Sequence, residues 1–580
     1  MGPERAKPTY NIHTAMGNDA YFIGDCYSPS PIAQEWEIQD TSKFPYLTHV
    51  KSLASSWKTL QHLVHFMEVG TTPLRWMDIK KNPGDREERA NRVTVTQIDY
   101  CSGLQPRPVK LDSPSALREA LQTSIETEDP SLRLFLVEDL SLQVIEQLGS
   151  RFDIDPLFFR EHIVDYTWFN TRDPWVIPLP LMAGMKHRQW FRLRHARLRY
   201  YKSQSSFDDA AEESNSHNVF RRPDDDRNHW LFLDAPGSTV SITRTRTTVW
   251  VGKDKLQPNC TVGIVLIDPT VHEGFPLWNG HTNWLPIPSS ETKDPTKPLL
   301  GSSLYDTIVQ ATAGYPWFKT ANQATLSMDP QILVKPAIYT ICAEWLVVLE
   351  YVKARLAQIE VELDKPKGFR AKGDVIERSL KRLHTWRRVV PVLREMVTEI
   401  LEQDLPIAAR LTSPAQMQNV PGGNMDDILP DFERIMKSLN ELQDRVDRLS
   451  SIVTSEISIE DSRHSLEENH NLARLTWLAT TFIPLSFVTG LFSMTDDLGS
   501  MAATFGWYFL AAVPLTIICM IVAARVGKSW KQDRKTKKEE KTHTQTLGVG
   551  SAWTDDGSVR PGKSSLGGLF GSAHNKNKGS

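Results

Sequence analysis

Thr476, Ala479, Ile483, Ser486, Gly490 and Ser493 follow one another at intervals of three or four residues, so on a helix they share one face. Small or hydroxylated side chains thus line one side of an apolar stretch, while Trp477, Phe482, Leu485, Val488 and Phe492 cover the others. Asp496 and Asp497 stand at its end. The chemistry open to such a stripe is oxygen ligation of a hydrated hard cation, with hydroxyl and helix-end carbonyl oxygens as acceptors. A second reading is packing, because small residues let lipid-embedded helices approach closely. The spacing supports both.

The elements that must position these residues are helical. Leu475–Met494 and Phe505–Ala524 are two apolar runs of about 20 residues, roughly 30 Å of helix each, joined by a short link, so a transmembrane hairpin is expected. Arg525, Lys528, Lys531, Arg534, Lys535, Lys537 and Lys538 follow the second run and place that end, and with it the N-terminal body, on the cytosolic side. Upstream, Ile435, Leu439, Leu442, Val446, Leu449 and Val453 recur at spacings of four and three, an a/d seam that seeks partner helices. The partners are either earlier helices of the same chain or other subunits, and the seam is expected to be covered in part by neighbouring subunits. Nothing need interrupt the chain from Pro430 to Met494, so one helix of about 65 residues, roughly 100 Å, is expected. Five such helices bundled by symmetry would form a funnel.

The remainder reads as an α+β cytosolic body. Residues 1–110 carry only short periodic runs and are expected to be folded but irregular. An α/β domain follows over 111–334. "LRLFLVEDL" (132–140) is a buried strand, followed by a helix capped by Ser141 and stopping at Gly149; "VSITRTRTTVWVG" (240–252) alternates, and "TVGIVLID" (261–268) is continuously apolar and central. "SQSSFDDAAEESNSHN" and "RRPDDDRN" read as disordered inserts, with Asp224, Asp225 and Asp226 solvated rather than holding a cation. A helical bundle is expected over 335–429, kinked at Pro391, then a stalk helix over 430–474, the hairpin (475–494, 505–524), and a basic, disordered tail over 525–580.

Bulk properties remove several function classes. With 40% hydrophobic and 24% charged residues, most of the chain has the composition of a soluble body, and a net charge of -3 gives no global attraction for nucleic acid. Cys26, Cys101, Cys260, Cys342 and Cys519 form no close pair, so neither a CxxC metal site nor a disulfide framework is expected. The N-terminal residues lack a secretory apolar region. No phosphate loop or catalytic constellation occurs, so no enzymatic activity and no resident cofactor are expected.

The run "LTWLATTFIPLSFVTGLFSM" (475–494) resembles the first transmembrane helix of the CorA magnesium channels, in which a leucine-threonine pair precedes a proline-centred span ending in Gly-Met-Asn. It is most similar to the divergent fungal CorA-like proteins, and "LFLVEDLSLQVIEQLGSRFDIDPLFFREHI" and "LHTWRRVVPVLREM" fit the soluble part of that group. The resemblance implies a homopentamer with a cytosolic α/β funnel and stalk helices that continue as the pore-lining span. It also implies passive conduction of Mg²⁺ or another divalent cation. With no presequence legible, the plasma membrane or another secretory-pathway membrane is expected, and the family gives the mitochondrial inner membrane as the alternative. Aligned on Pro484, the family's pore-facing positions fall on Asn469, Leu472, Ile483, Ser486 and Gly490, beside Thr476 of the stripe. Gly-Met-Asn falls on Ser493, Met494 and Thr495, and only the methionine is kept. Asp496 and Asp497 would gather cations at the far mouth. Serine for glycine is expected to resist left-handed backbone conformations there. The departure also allows a second function, a non-conducting sensor or scaffold with the same architecture.

Overall fold

The computed structural model describes residues 35–72, 76–101, 106–122, 130–164, 181–226, 229, 234–279, 290, 303–314, 329–364, 374–412, 425–493 and 506–522. The chain divides into two units, Met1–Ile457 and Ser458–Ser580.

The first unit opens with helices α1 (Pro45–Ala54), α2 (Gln61–Val69), α3 (Trp76–Lys81) and α4 (Gly84–Asn91), then strands β1 (Val95–Tyr100) and β2 (Pro108–Leu111) and helix α5 (Pro114–Gln122). Strand β3 (Leu132–Glu138) leads to α6 (Leu142–Phe152), α7 (Pro156–His162) and α8 (Met182–Met185), and β4 (Trp190–Tyr201) to α9 (Gln204–Ser216) and β5 (Pro223–Asp225). Strands β6 (Thr239–Lys253), β7 (Thr261–Ile267) and β8 (Phe275–Pro276) precede α10 (Leu304–Gly314), α11 (Lys335–Asp364), α12 (Asp374–Glu399), α13 (Leu405–Thr412) and α14 (Leu429–Phe492).

The sheet runs β2-β1-β3-β7-β6-β4-β8, with β5 paired to β6. Among the described residues only β3 and β7 pair in parallel; every other pair is antiparallel. Strand β7 is central and all seven of its residues are buried, as its unbroken apolar run requires of a strand covered on both faces. Leu134, Leu136, Val265 and Ile267 face a core shared with α10, α11, α12 and α14; Phe135, Val137, Ile264 and Leu266 face the other core, with Leu47, Leu63, Ile145 and Phe158 of α1, α2, α6 and α7. The result is a mixed α+β body with helices on both faces of one sheet.

Several expectations need correction. From Pro45 onward the described residues of the N-terminal stretch form regular elements, and β1 and β2 belong to the sheet. The supposed insert "SQSSFDDAAEESNSHN" is largely helix α9, whose N-cap Ser203 accepts from the Ser206 amide and which buries Ala210 and Ser214. In "RRPDDDRN", Pro223–Asp225 pair with β6 as β5, while Arg221 is buried with its Nε 2.6 Å from Asp268 Oδ2. Gly149 does not end α6, which continues to Phe152 with Asp153 as a left-handed C-cap. A Cβ at 149 would lie 2.6 Å from the ring of Tyr46, so this glycine permits close approach of α1. Pro391 lies inside α12, and a π-helical turn, Ile400–Asp404, follows that helix.

The largest correction concerns the seam on α14. Ile435, Leu439, Leu442, Val446, Leu449 and Val453 are at most 4% exposed within a single chain, in the same core as Trp345, Leu356 and Trp386 of α11 and α12. Arg445 pairs with Glu360 of α11, and Arg387 of α12 lies 3.9 Å from Asp447. Helices α11 and α12 present long apolar faces on the same chain, and α14 covers them. Neighbouring subunits are not needed to bury this seam.

In the second unit α14 continues to Phe492, giving a helix of 64 residues against the 65 expected, and a further helix, α15, occupies 506–522. Among the described residues no helix is long and apolar enough to cross a membrane. The expected spans, 475–494 and 505–524, run past the described residues at 493, 506 and 522.

Candidate functional site

The distal part of α14 carries the stripe. Asn469, Leu472, Thr476, Ile483, Ser486, Gly490 and Ser493 are all exposed, Leu472 by 61% and Ile483 by 66%; Ala479 is half-buried. The opposite face is covered by α15: Pro484 is buried, Val488 is 4% exposed, Ala512 is fully buried, and Thr489 Oγ1 lies 3.0 Å from Tyr508 Oη. At about 100° per residue, Asn469, Leu472, Thr476, Ile483, Ser486 and Gly490 fall between about 160° and 260° from Val488. The predicted positions therefore lie together, on the face turned away from the chain's own second helix.

Two details bear on their chemistry. Thr476, Thr480, Thr481 and Thr489 each donate to the carbonyl four residues back, at 2.7–2.9 Å, which leaves the hydroxyl oxygens able to accept. A Cβ added at Gly490 would meet nothing within 4 Å, so no contact inside this chain requires glycine there. Ser493 still donates its amide to Thr489 O at 3.0 Å, and among the described residues the only non-glycines with positive φ are Asp139, Asp153 and Trp278. The left-handed conformation that serine would resist is thus not adopted at Ser493. Met494, Thr495, Asp496 and Asp497 lie outside the described residues.

The stripe extends further than the sequence reading followed it. Ser465, Ser462 and Ser458 continue the same alternation of three and four back from Asn469, and all three are exposed. Ile459 and Leu466 flank them at 49% and 57% exposure, seven residues apart. The signal was present as a serine at every step of the register, but it sits in a polar stretch where hydrophobic periodicity gives no reason to look. Among the described residues no three His, Cys, Asp or Glu side chains form a group able to hold a metal ion. What the stripe offers is hydroxyl, amide and carbonyl oxygen, suited to the water shell of a cation rather than to the bare ion.

The densest polar array of the first unit is architectural. His162 Nδ1 lies 2.9 Å from Thr248 Oγ1, and its Nε2 is 3.4 Å from Asp268 Oδ1. Asp268 Oδ2 accepts from Arg221 Nε and the Arg246 amide, both at 2.6 Å, and Arg221 Nη2 donates to His162 O at 2.6 Å. Burial pushes the His162 imidazole down to about 3, so it is neutral; burial pushes Asp268 upward, but the Arg221 guanidinium and the Arg246 amide outweigh it and hold the carboxyl below its usual range. Every member is buried. The array clamps α7 to β6 and to the end of β7.

Residues 303–528, which include α11 to α15, match the sequence profile of the family described as "CorA-like Mg2+ transporter protein". The chain is 28% identical over 138 residues to "Putative metal ion transporter C17A12.14" of Schizosaccharomyces pombe, covering 23% of this chain and 22% of that protein. The chain thus spans about a fifth of that relative's length. Among solved structures, full-length CmaX superposes on 75% of this chain and 98% of its own at 10% identity and a TM-score of 0.35. The soluble domain of CorA from Methanocaldococcus jannaschii superposes on 63% and 96% at 9% identity and a TM-score of 0.28. Both superpositions are too loose to carry detail. Over residues 303–528 the chain is similar to the CorA-like Mg²⁺ transporter proteins, the family whose likeness its proline-centred helix carries.

Proposed function

We propose that this protein is the subunit of a membrane channel for divalent metal cations, of the Mg²⁺ type, with CorA-like architecture. In this reading 475–494 and 505–524 form a transmembrane hairpin, each run being long enough at about 30 Å to span the hydrocarbon core. The basic residues from Arg525 onward keep both termini on the cytosolic side. Copies of α14 surround a central pore, α15 lies outside them, and the assembly is a homopentamer in the plasma membrane. The observation that carries the reading is the exposed stripe on the face of α14 opposite its contact with α15. That face carries the polar groups of Asn469, Thr476, Ser486 and Ser493 and the bare backbone of Gly490 beside the apolar Leu472, Ala479 and Ile483, and its oxygens suit a wetted axis better than lipid.

Transport is passive. A divalent ion crossing 100 mV gains about 4.6 kcal/mol, enough to drive uptake without nucleotide hydrolysis. Mg²⁺ sheds water reluctantly, so rings of Ser486 and Thr495 oxygen act on the hydrated ion, and Asp496 with Asp497 concentrate cations at the mouth. With serine and threonine in place of glycine and asparagine around Met494, discrimination among divalents is weak.

Cysteine accessibility tests the arrangement. In a background with Cys519 replaced, Ser486→Cys and Gly490→Cys should react with a charged, membrane-impermeant thiol reagent and lose flux on reaction, while Val488→Cys should do neither. Equal reactivity at the three positions would reject a wetted axis along this face. The departures at Ser493 and Thr495 favour one other reading, a non-conducting scaffold or sensor of the same architecture. That reading requires a correctly inserted oligomer that carries no divalent cation.

A further inference from the structure

A cleft of about 540 Å³ opens in the first unit between the end of β4, the turn after β8 and helix α11. Its volume lies within the range of sites that hold small organic ligands. Two large aromatic rings stand in its wall largely uncovered, Phe275 at 46% and Trp278 at 53% exposure. Both rings line the one cleft, so they offer apolar faces to a single occupant.

The backbone holds them there at a cost. Trp278 has φ 53° and ψ 34°, a left-handed conformation that a bulky residue adopts only where its surroundings impose it. Gly274, with φ +77°, makes the preceding turn; a Cβ there would meet the Tyr201 ring at 2.7 Å and the Tyr200 carbonyl at 2.8 Å. Arg199 pins the same turn by donating to the carbonyls of His272, Glu273 and Gly274. The backbone that leads into the aromatic wall is therefore held in place.

The polar groups of the cleft carry both signs. Lys202 Nζ sits 4.8 Å from the centroid of the Phe275 ring. Arg355, with a side chain only 9% exposed, donates from Nε to Tyr351 Oη at 3.0 Å and from Nη1 to Asp234 and Gln358, each at 2.9 Å. Its Nη2 makes no hydrogen bond among the described residues. Tyr351 in turn donates to Asp226. Lys202 and Arg355 against Asp234 leave the lining with a net charge near +1, enough for a small anion and too little for a polyphosphate.

We propose that this cleft binds a nucleoside monophosphate. The base stacks on Trp278 and Phe275, and the phosphate is received by Lys202 and by Arg355 Nη2. Stacking on aromatic side chains accepts any base, so the class rather than the base is assigned. The proposal is independent of ion conduction.

Calorimetric titration of the full-length protein in detergent with AMP, adenosine, ATP and inorganic phosphate tests it. AMP should bind saturably and at least tenfold more tightly than adenosine, phosphate or ATP. Trp278→Ala and Lys202→Ala should each weaken AMP at least tenfold. Trp278→Gly separates binding from folding, because glycine accepts the left-handed conformation: its melting temperature should equal or exceed that of the parent while AMP binding is lost. Phosphate binding as tightly as AMP would reduce the cleft to an anion site and overturn the proposal. So would AMP affinity unchanged in folded Trp278→Gly protein, or no saturable AMP binding by the parent.

Discussion

The two sides of α14 are expected to respond to truncation in opposite ways. Leu439 is fully buried in the core shared with α11 and α12, so Leu439→Ala removes about three heavy atoms from a packed site and leaves a cavity. Such changes cost about 2–5 kcal/mol, and because the seam is covered within one chain the loss falls on folding of the subunit. Leu466, 57% exposed and on the flank of the serine stripe, has little intrachain packing to lose. Leu466→Asp should leave subunit folding within about 0.5 kcal/mol of the parent; in the proposed assembly it acts on association instead, by placing a charge where neighbouring copies of α14 would meet. Urea unfolding of residues 1–457, followed by intrinsic fluorescence, reads the first effect; native mass spectrometry of the full chain in detergent reads the second. The reasoning fails if Leu439→Ala unfolds at the parent's midpoint, or if it dissociates the oligomer while Leu466→Asp leaves the assembled mass unchanged.

Other consequences follow from the first unit. Gly149→Ala places a Cβ 2.6 Å from the Tyr46 ring, so despite the better helix propensity of alanine it should destabilise by roughly 1–3 kcal/mol, read as a lower melting temperature. The His162 imidazole is held down to about 3 in the fold against about 6.5 when unfolded, so its contribution is complete above pH 6.5 and declines as the pH falls toward 3. Melting temperature should therefore drop between pH 6.5 and pH 4, and less steeply in His162→Gln; parallel curves would contradict the assignment. Burial pushes the Asp404 carboxyl well above its ordinary range, reinforced by Glu399 nearby, so ionising it costs stability as the pH rises. Asp404→Asn keeps an acceptor for the Arg192 amide and should raise the melting temperature more at pH 8 than at pH 5.

What the sequence disclosed was mostly local or periodic. The unbroken apolar run of Thr261–Ile267 can be satisfied only by a strand covered on both faces, and β7 lies at the centre of the sheet. Helix α14 was legible in length because no breaker interrupts it before Pro484, which the helix accommodates. The partner of its apolar seam was not, since a spacing of three and four states that a face is buried and not by which chain. Gly149 misled because the need for glycine comes from Tyr46, about a hundred residues away in sequence. The composition of the polar stretches 203–218 and 221–228 reads as solvated loops. Their anchors are long-range: Glu213 holds the amides of His272 and Glu273, and Asp226 accepts from Tyr351. Of the stripe, the span from Thr476 to Ser493 was visible by contrast with its apolar surroundings, whereas Ser458, Ser462 and Ser465 needed the register of the continuous helix.

Altering the motif around Met494 bears on selectivity. Ser493→Gly with Thr495→Asn should increase Mg²⁺ flux and its preference over other divalents, and Asp496→Asn with Asp497→Asn should lower flux chiefly at low ionic strength. The most direct test of conduction is uptake by the purified, oligomeric protein in liposomes under an imposed potential, negative on the side that receives the ion. Uptake of Mg²⁺ that rises with the potential, needs no nucleotide, and is blocked by a charged reagent on Gly490→Cys is the expected result. An inserted, assembled protein that carries none of Mg²⁺, Zn²⁺, Co²⁺ and Ni²⁺ would contradict the channel reading and leave the scaffold in its place.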